Sequence, residues 1–125
     1  MLFADAPFAR RFGRARMAGF AAVECRFPYA HPAAELGAAG LEMTEINAPP
    51  GDWTAGGRGL AARPGGEAEF GVGLERALGY AVTLGAPRIH VLPGVTQALD
   101  RAAWLRSMRL AAARAAAGIA ISVGR

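Results

Sequence analysis

Residues 67–93, EAEFGVGLERALGYAVTLGAPRIHVLP, decide the fold class of this chain. The first eighteen residues place apolar side chains at spacings of three, four and seven, with acidic residues in the first turn, which predicts an amphipathic helix. Gly85 is a typical helix terminator, and the short apolar run at 87–93 predicts a β-strand. A helix followed at once by a buried strand is one repeat of an α/β fold.

The same alternation extends in both directions along the chain. Further helices are predicted at residues 7–18, 32–39 and 99–116, and further strands at 20–27, 41–47 and 118–123. In the strand at 41–47 the alternation is partial, with Leu41, Met43 and Glu45 at every second position. The order α-β-α-β-α-β-α-β indicates a parallel sheet with right-handed crossovers and covering helices. A small doubly-wound domain and half of a (β/α)8 barrel, which takes about 250 residues when complete, both fit this order.

The composition is that of one folded domain with a modest basic excess. The 125 residues are 53% hydrophobic and carry a net charge of +4, which is ordinary for a globular chain. All fourteen basic residues are arginines, scattered except for one group at residues 10–16. Such scattering favours solvated helix faces over a nucleic-acid-binding surface.

Three further features indicate where the protein works. Cys25 is the single cysteine, so no intrachain disulfide or cysteine cluster forms, and its apolar surroundings predict a small buried side chain. The first residues lack the basic region and apolar run of a signal peptide. No apolar stretch approaches the roughly 20 residues that cross a bilayer. We therefore expect a cytoplasmic protein with no membrane contact.

Residues 49–66 form the most unusual segment, a long loop with three prolines, several glycines and one tryptophan. Loops of this length are uncommon in compact domains unless they have a function. In both candidate architectures, ligands bind at the carboxyl ends of the strands and in the loops that follow. The candidate binding residues at these places are Glu24, Asn47, Trp53, Arg58 and His90.

Each strand-end candidate has a functional and a structural interpretation. Glu24 lies in an apolar strand, so it either lines the cavity mouth or pairs with an arginine such as Arg26 or Arg88. Asn47 either orients a substrate or caps a turn. His90 is either a ligand or base, or a histidine whose hydrogen bonds are satisfied in the core.

The loop candidates are equally open. Trp53 either covers a small substrate from water or packs the loop onto the sheet. Arg58 or Arg63 either binds a substrate carboxylate through two hydrogen bonds or lies solvated at the surface.

Three blocks of sequence carry a more specific signal. They are VECRFPY at 23–29, NAPPGDWTAGGRGL at 47–60 with RPG at 63–65, and HVLPGV at 90–95. Their order and spacing resemble the hydroxypyruvate isomerase family, including the similar 2-oxo-tetronate isomerases. The resemblance implies a xylose isomerase-like (β/α)8 barrel. It also implies an isomerase that interconverts hydroxypyruvate and tartronate semialdehyde, or that acts on a 2-oxo-tetronate.

The resemblance also implies which part of the barrel is present. The opening MLF and FARRF look like the family's segment just after its first strand. In the family, carboxylates from the fifth strand onward hold a divalent metal, Mg²⁺ or Mn²⁺, and move the proton. The first of those glutamates corresponds to Gly124. We therefore expect residues 1–125 to be a fragment from the N-terminal half, with four strands and an unclosed barrel.

Such a fragment is expected to hold no catalytic or metal-binding residue and no cofactor, and to be inactive alone on the family's keto-acid sugars. Its open edges and apolar concave face predict self-association or incomplete folding. The alternative function is a non-catalytic, small-molecule-binding or self-assembling half barrel. A nucleic-acid partner is disfavoured because the related apurinic-site endonucleases need several metal-binding histidines, and only His31 and His90 occur here.

Overall fold

The computed structural model describes residues 2–37, 40–95, 100–115 and 118–124. The elements are α1 (Phe8–Met17), β1 (Ala22–Cys25), α2 (Ala33–Gly37), β2 (Glu42–Asn47), α3 (Glu67–Leu84), β3 (Arg88–Val91), α4 (Arg101–Arg114) and β4 (Ala120–Val123). All eight predicted elements are present. The predicted helix ends at residues 38–39, 99 and 116 lie outside the described residues.

The four strands form one parallel sheet in the order β1-β2-β3-β4. This confirms the predicted parallel sheet with helical crossovers. Within the described ranges β1 and β4 are the outer strands and do not pair with each other, so the sheet is open. None of the helices in these ranges is long and apolar enough to cross a bilayer.

Helix α3 shows why the local sequence folds as predicted. Glu67 and Glu69 lie in its first turn, where carboxylates interact favourably with the helix dipole. Gly85 ends the helix at a φ of 66°, and the Ala86 amide then donates to the Ala81 carbonyl at 2.9 Å. Glycine adopts the left-handed backbone conformation easily, which is why the helix stops there.

The core lies between the helices and one face of the sheet. Helices α1 to α4 each contribute to it, and Ile46 and Ile89 at the centre of the sheet are fully buried. The other strand residues in this core are Cys25, Met43 and Val91. Because successive strand residues point to opposite faces, their neighbours in sequence face away from the helices.

A bulge in β2 changes which of its side chains face the core. Val23 pairs with Met43, whereas Glu24 pairs with Glu45, so Thr44 is an extra residue. The Thr44 hydroxyl donates to the Val23 carbonyl at 3.1 Å. The alternation that placed Met43 and Glu45 at equivalent positions is therefore broken, because the extra residue of a bulge shifts the register by one. Met43 is buried, and Glu45 lies on the opposite face.

Cys25 is buried, as its apolar surroundings predict, and burial raises the pKa of its thiol to about 11. The thiolate is the reactive form, so a rise of about two pKa units lowers reactivity by about 100-fold at pH 8. We expect the folded chain to react with a disulfide reagent at least that much more slowly than the urea-unfolded chain. Equal rates in stopped-flow measurements would contradict this prediction.

Candidate functional site

The loop after β2 begins with a compact turn built on Asp52. Its Oδ1 accepts hydrogen bonds from the Thr54 hydroxyl at 2.7 Å, the Thr54 amide at 2.9 Å and the Ala55 amide at 3.1 Å. The Thr54 hydroxyl and these amides hold the pKa of Asp52 below its usual range. The Gly57 amide closes the turn by donating to the Asp52 carbonyl at 2.7 Å. Trp53 is thereby held at the tip of an ordered turn.

Gly59 joins this loop to the segment that follows β3. It forms an antiparallel bridge with Pro93, and its amide donates to the Pro50 carbonyl at 2.9 Å. The two backbones are so close that a Cβ on Gly59 would lie 2.3 Å from the Leu92 carbonyl oxygen. The Ala62 amide adds a hydrogen bond to the Pro93 carbonyl at 2.8 Å. The loop is therefore fastened to the sheet.

Trp53 lies between Phe27, which follows β1, and an arginine of its own loop. Its ring centroid is 5.3 Å from that of Phe27, and the Arg58 Cζ lies 4.0 Å from the indole centroid. Arg58 also donates to the carbonyls of Trp53 at 3.0 Å and Gly57 at 2.8 Å. The second loop arginine, Arg63, forms an exposed ion pair with Glu69 at 2.6 Å. Arg58 thus stacks on Trp53, as a cation–π contact.

These elements surround a cavity of about 350 Å³ at the carboxyl ends of the strands. Its lining residues are Glu24, Arg26, Phe27, Glu45, Asn47, Trp53, His90 and Leu92. Four of the five predicted binding residues are in this set. Arg58 is the fifth and reaches the cavity only through its contact with Trp53.

A chain of polar contacts links the cavity residues Glu45 and His90 to side chains of β3 and β4. Ser122 Oγ donates to Glu45 Oε2 at 2.7 Å, and His90 Nδ1 lies 3.1 Å from the same hydroxyl oxygen. Arg88 Nε lies 3.7 Å from Glu45 Oε2. Sequence reasoning missed Glu45 and Ser122. The available signal was their position in the strands, since Ser122 is the register partner of His90.

The remaining strand-end candidates keep their side chains available to the cavity. Glu24 is exposed there, and Arg88, one of its expected partners, pairs with Glu45 instead. Asn47 uses its backbone, accepting from the Tyr29 hydroxyl and donating to the Arg26 carbonyl at 2.9 Å. Its side-chain amide has no hydrogen-bond partner among the residues the structure describes. Their roles as binding residues stay predictions.

The concave face is more polar than the sequence predicts. The residues of β1, β2 and β3 that line the cavity are polar and are half-buried or exposed, whereas its apolar lining residues all follow the strands. The apolar residues of these strands alternate onto the helix-covered face, and the β2 bulge adds Glu45 to the cavity side. The expectation of an apolar concave face was wrong for this region.

A divalent cation in a protein is held by side chains that converge on it. In the described part of the chain, no three His, Cys, Asp or Glu side chains converge as a metal site would need. Glu45 and His90 are already joined through Ser122. The expectation that this part of the chain holds no Mg²⁺ or Mn²⁺ stays a prediction.

A solved structure shares the fold of this chain. The crystal structure of an AP endonuclease, family 2, from Brucella melitensis matches with a TM-score of 0.89 and 41% sequence identity. The match covers 97% of this chain and 50% of that chain. The open parallel sheet, its helical crossovers and the cavity at the strand ends define part of a xylose isomerase-like (β/α)8 barrel.

The relatives in sequence are isomerases, and the chain is similar to members of the hydroxypyruvate isomerase family over about half of their length. The 2-oxo-tetronate isomerase of Cupriavidus necator is 45% identical over 98% of this chain and 51% of its own length. The hydroxypyruvate isomerase of Escherichia coli is 44% identical over 78% of this chain and 40% of its own length. The chain thus spans about half the length of the curated relatives it matches. No family model matches it.

Proposed function

We propose that the chain forms the substrate-binding part of an isomerase for hydroxypyruvate or a 2-oxo-tetronate. One observation carries this proposal: the three sequence blocks that resemble the family converge on one cavity. Phe27, Asn47 and His90 come from the three different blocks, and all three line it. A cavity of about 350 Å³ is in the range of small-molecule sites.

The lining residues suit a small hydroxylated keto acid. Arg26 faces the cavity with no ion pair in the described ranges, so its guanidinium is available to a carboxylate. The Asn47 amide and the Glu24 carboxylate offer a donor and an acceptor to carbonyl and hydroxyl oxygens. Trp53, with Arg58 stacked on it, covers the ligand from water. In this proposal these side chains bind the substrate and do not transfer its protons.

We expect the 125-residue chain to bind hydroxypyruvate without isomerising it. Gly124 occupies the position where the family resemblance implies the first catalytic glutamate, so proton transfer lacks its base. Binding is measured by NMR chemical-shift changes, which detect dissociation constants of about 1 mM. Turnover is measured with Mg²⁺ or Mn²⁺ added.

The Trp53→Ala variant tests the site directly. It should weaken hydroxypyruvate binding by about 5-fold, since loss of one aromatic contact is worth about 1 kcal/mol. The matched control is Phe20→Ala, which removes an exposed aromatic side chain outside this cavity. Turnover clearly above the metal-only rate would contradict the expected inactivity. Equal binding by Trp53→Ala and the parent chain would overturn the site.

A self-assembling half barrel is the second candidate, favoured by an apolar groove beside β1. The groove has a volume of about 420 Å³. Its apolar lining includes Leu2, Phe3, Phe8, Phe12, Phe20 and Val23. Leu2 and Phe20 are exposed, and open strand edges with apolar surface associate readily.

In this second case, we expect sedimentation to show a concentration-dependent dimer that Phe20→Asp shifts to monomer. Val82→Asp is the matched control, because Val82 is exposed on α3 away from the groove. A monomer at all concentrations would count against self-assembly.

A cytoplasmic location and the lack of a nucleic-acid partner stay predictions. The lack of a nucleic-acid partner is tested with an abasic DNA duplex. If the chain retains this duplex at moderate salt, the prediction is wrong.

A further inference from the structure

The polar chain Arg88–Glu45–Ser122–His90 determines where the protons of His90 lie. Ser122 Oγ stands between the other two groups, 2.7 Å from Glu45 Oε2 and 3.1 Å from His90 Nδ1. A carboxylate accepts hydrogen bonds and does not donate them, so the single hydroxyl proton points to Glu45. The hydroxyl oxygen can then only accept from His90. The neutral imidazole therefore carries its proton on Nδ1.

Arg88 supports this direction of the hydrogen bonds. Its Nε lies 3.7 Å from the same Glu45 oxygen that accepts from Ser122. A guanidinium has hydrogen-bond donors and no acceptor, so the Glu45 oxygen that faces it can only be an acceptor. Glu45 is therefore held as the acceptor at the end of the chain.

The other ring nitrogen of His90 is left with its lone pair. His90 lines the cavity, and its Nε2 lies 2.9 Å from where a Cβ on residue 124 would be. Because residue 124 is glycine, no side chain from that position covers this nitrogen. An unprotonated imidazole nitrogen accepts a hydrogen bond but cannot donate one.

We propose that Glu45 and Ser122 are positioning residues, which hold His90 so that its Nε2 accepts a hydrogen bond from a hydroxyl of the substrate. This inference rests on the proposed function for the identity of the ligand. It adds a specificity: at this point the cavity distinguishes a hydroxyl, which donates, from a keto or carboxylate oxygen, which does not. Hydroxypyruvate carries such a hydroxyl, and pyruvate lacks it.

The tautomer is measured without any ligand. Long-range ¹H–¹⁵N NMR, well above the ordinary imidazole pKa of about 6.5, distinguishes the Nδ1–H form from the Nε2–H form. The chain has two histidines, so a His31→Asn variant identifies the signals of His90. We expect the Nδ1–H form in the parent chain and a shift toward the Nε2–H form, the commoner one in free histidine, in Ser122→Ala.

Ser107→Ala is the matched control. Ser107 is buried, and its hydroxyl has no hydrogen-bond partner in the described part of the chain. The Ser107→Ala variant should leave the His90 tautomer unchanged. An Nε2–H form in the parent chain would overturn the inference, whatever the variants show.

The ligand comparison then tests the specificity. Hydroxypyruvate should bind about 5-fold more tightly than pyruvate, as one hydrogen bond is worth about 1 kcal/mol, and Ser122→Ala should remove that difference. Equal binding of the two ligands by the parent chain would overturn the positioning inference and leave the substrate site intact. Failure of both ligands to bind would overturn the proposed function and the ligand assigned to Nε2, while the measured tautomer would still stand.

Discussion

Replacing Gly59 with alanine is expected to lower the free energy of unfolding by about 3 kcal/mol and to detach the loop from the sheet. The added Cβ would lie 2.3 Å from the Leu92 carbonyl oxygen and 2.5 Å from the Gly94 amide nitrogen. These are backbone atoms, so a side-chain movement cannot relieve the clash. The φ of 135° at Gly59 adds strain for any residue with a Cβ.

Gly56→Ala separates the two causes. Gly56 lies in the same loop with a φ of 91°, and nothing lies within 4 Å of a Cβ placed there. Its substitution should cost only the conformational strain, about 1 kcal/mol. The measurement is the urea midpoint of each variant, with hydroxypyruvate binding as a second readout. Equal midpoints for the two variants would show that the close approach at Gly59 does not hold the loop.

The helices and strands were predictable because their signals are local. The apolar spacing in α3, its two first-turn glutamates and Gly85 all lie within one stretch of nineteen residues, and the structure begins and ends the helix as predicted. Each strand likewise lies in a short apolar run between Gly or Pro residues. Such signals depend on neighbours in sequence, which the chain itself specifies.

The faces of β2 were not predictable from the same signals. The extra residue at Thr44 is visible only when β2 is paired with β1. Before pairing, simple alternation assigns Met43 and Glu45 to one side, whereas Met43 lies in the helix-covered core and Glu45 lines the cavity on the other face. Register is a property of two strands, so a single-strand pattern does not contain it.

The residues of the cavity were predictable only in part. Asn47, Trp53 and His90 were found because residues at parallel strand ends meet at one edge of the sheet. The contact of Ser122 with Glu45 joins residues 77 positions apart in the sequence. No local pattern signals such a contact. It follows from the order and register of the sheet.

Replacing Ile89 with alanine is expected to lower the free energy of unfolding by about 3 kcal/mol, because it leaves a cavity at the centre of the core. Ile89 is fully buried, and its register partners are Ile46 on β2 and Ile121 on β4. Little can move to fill the space, since both neighbouring strands are held by hydrogen bonds. The urea midpoint should fall by about 2 M with an unchanged m value.

Val123→Ala is the matched control for this prediction. It also shortens a β-branched residue in the sheet, but Val123 is 51% exposed. Its effect should be within about 0.5 kcal/mol. Ile89 precedes His90, so the larger void should also disturb the Ser122–His90 contact and weaken the preference for hydroxypyruvate. Similar midpoints for the two variants would mean that the helix-covered face of the sheet is loosely packed, and that the core does not fix the position of His90.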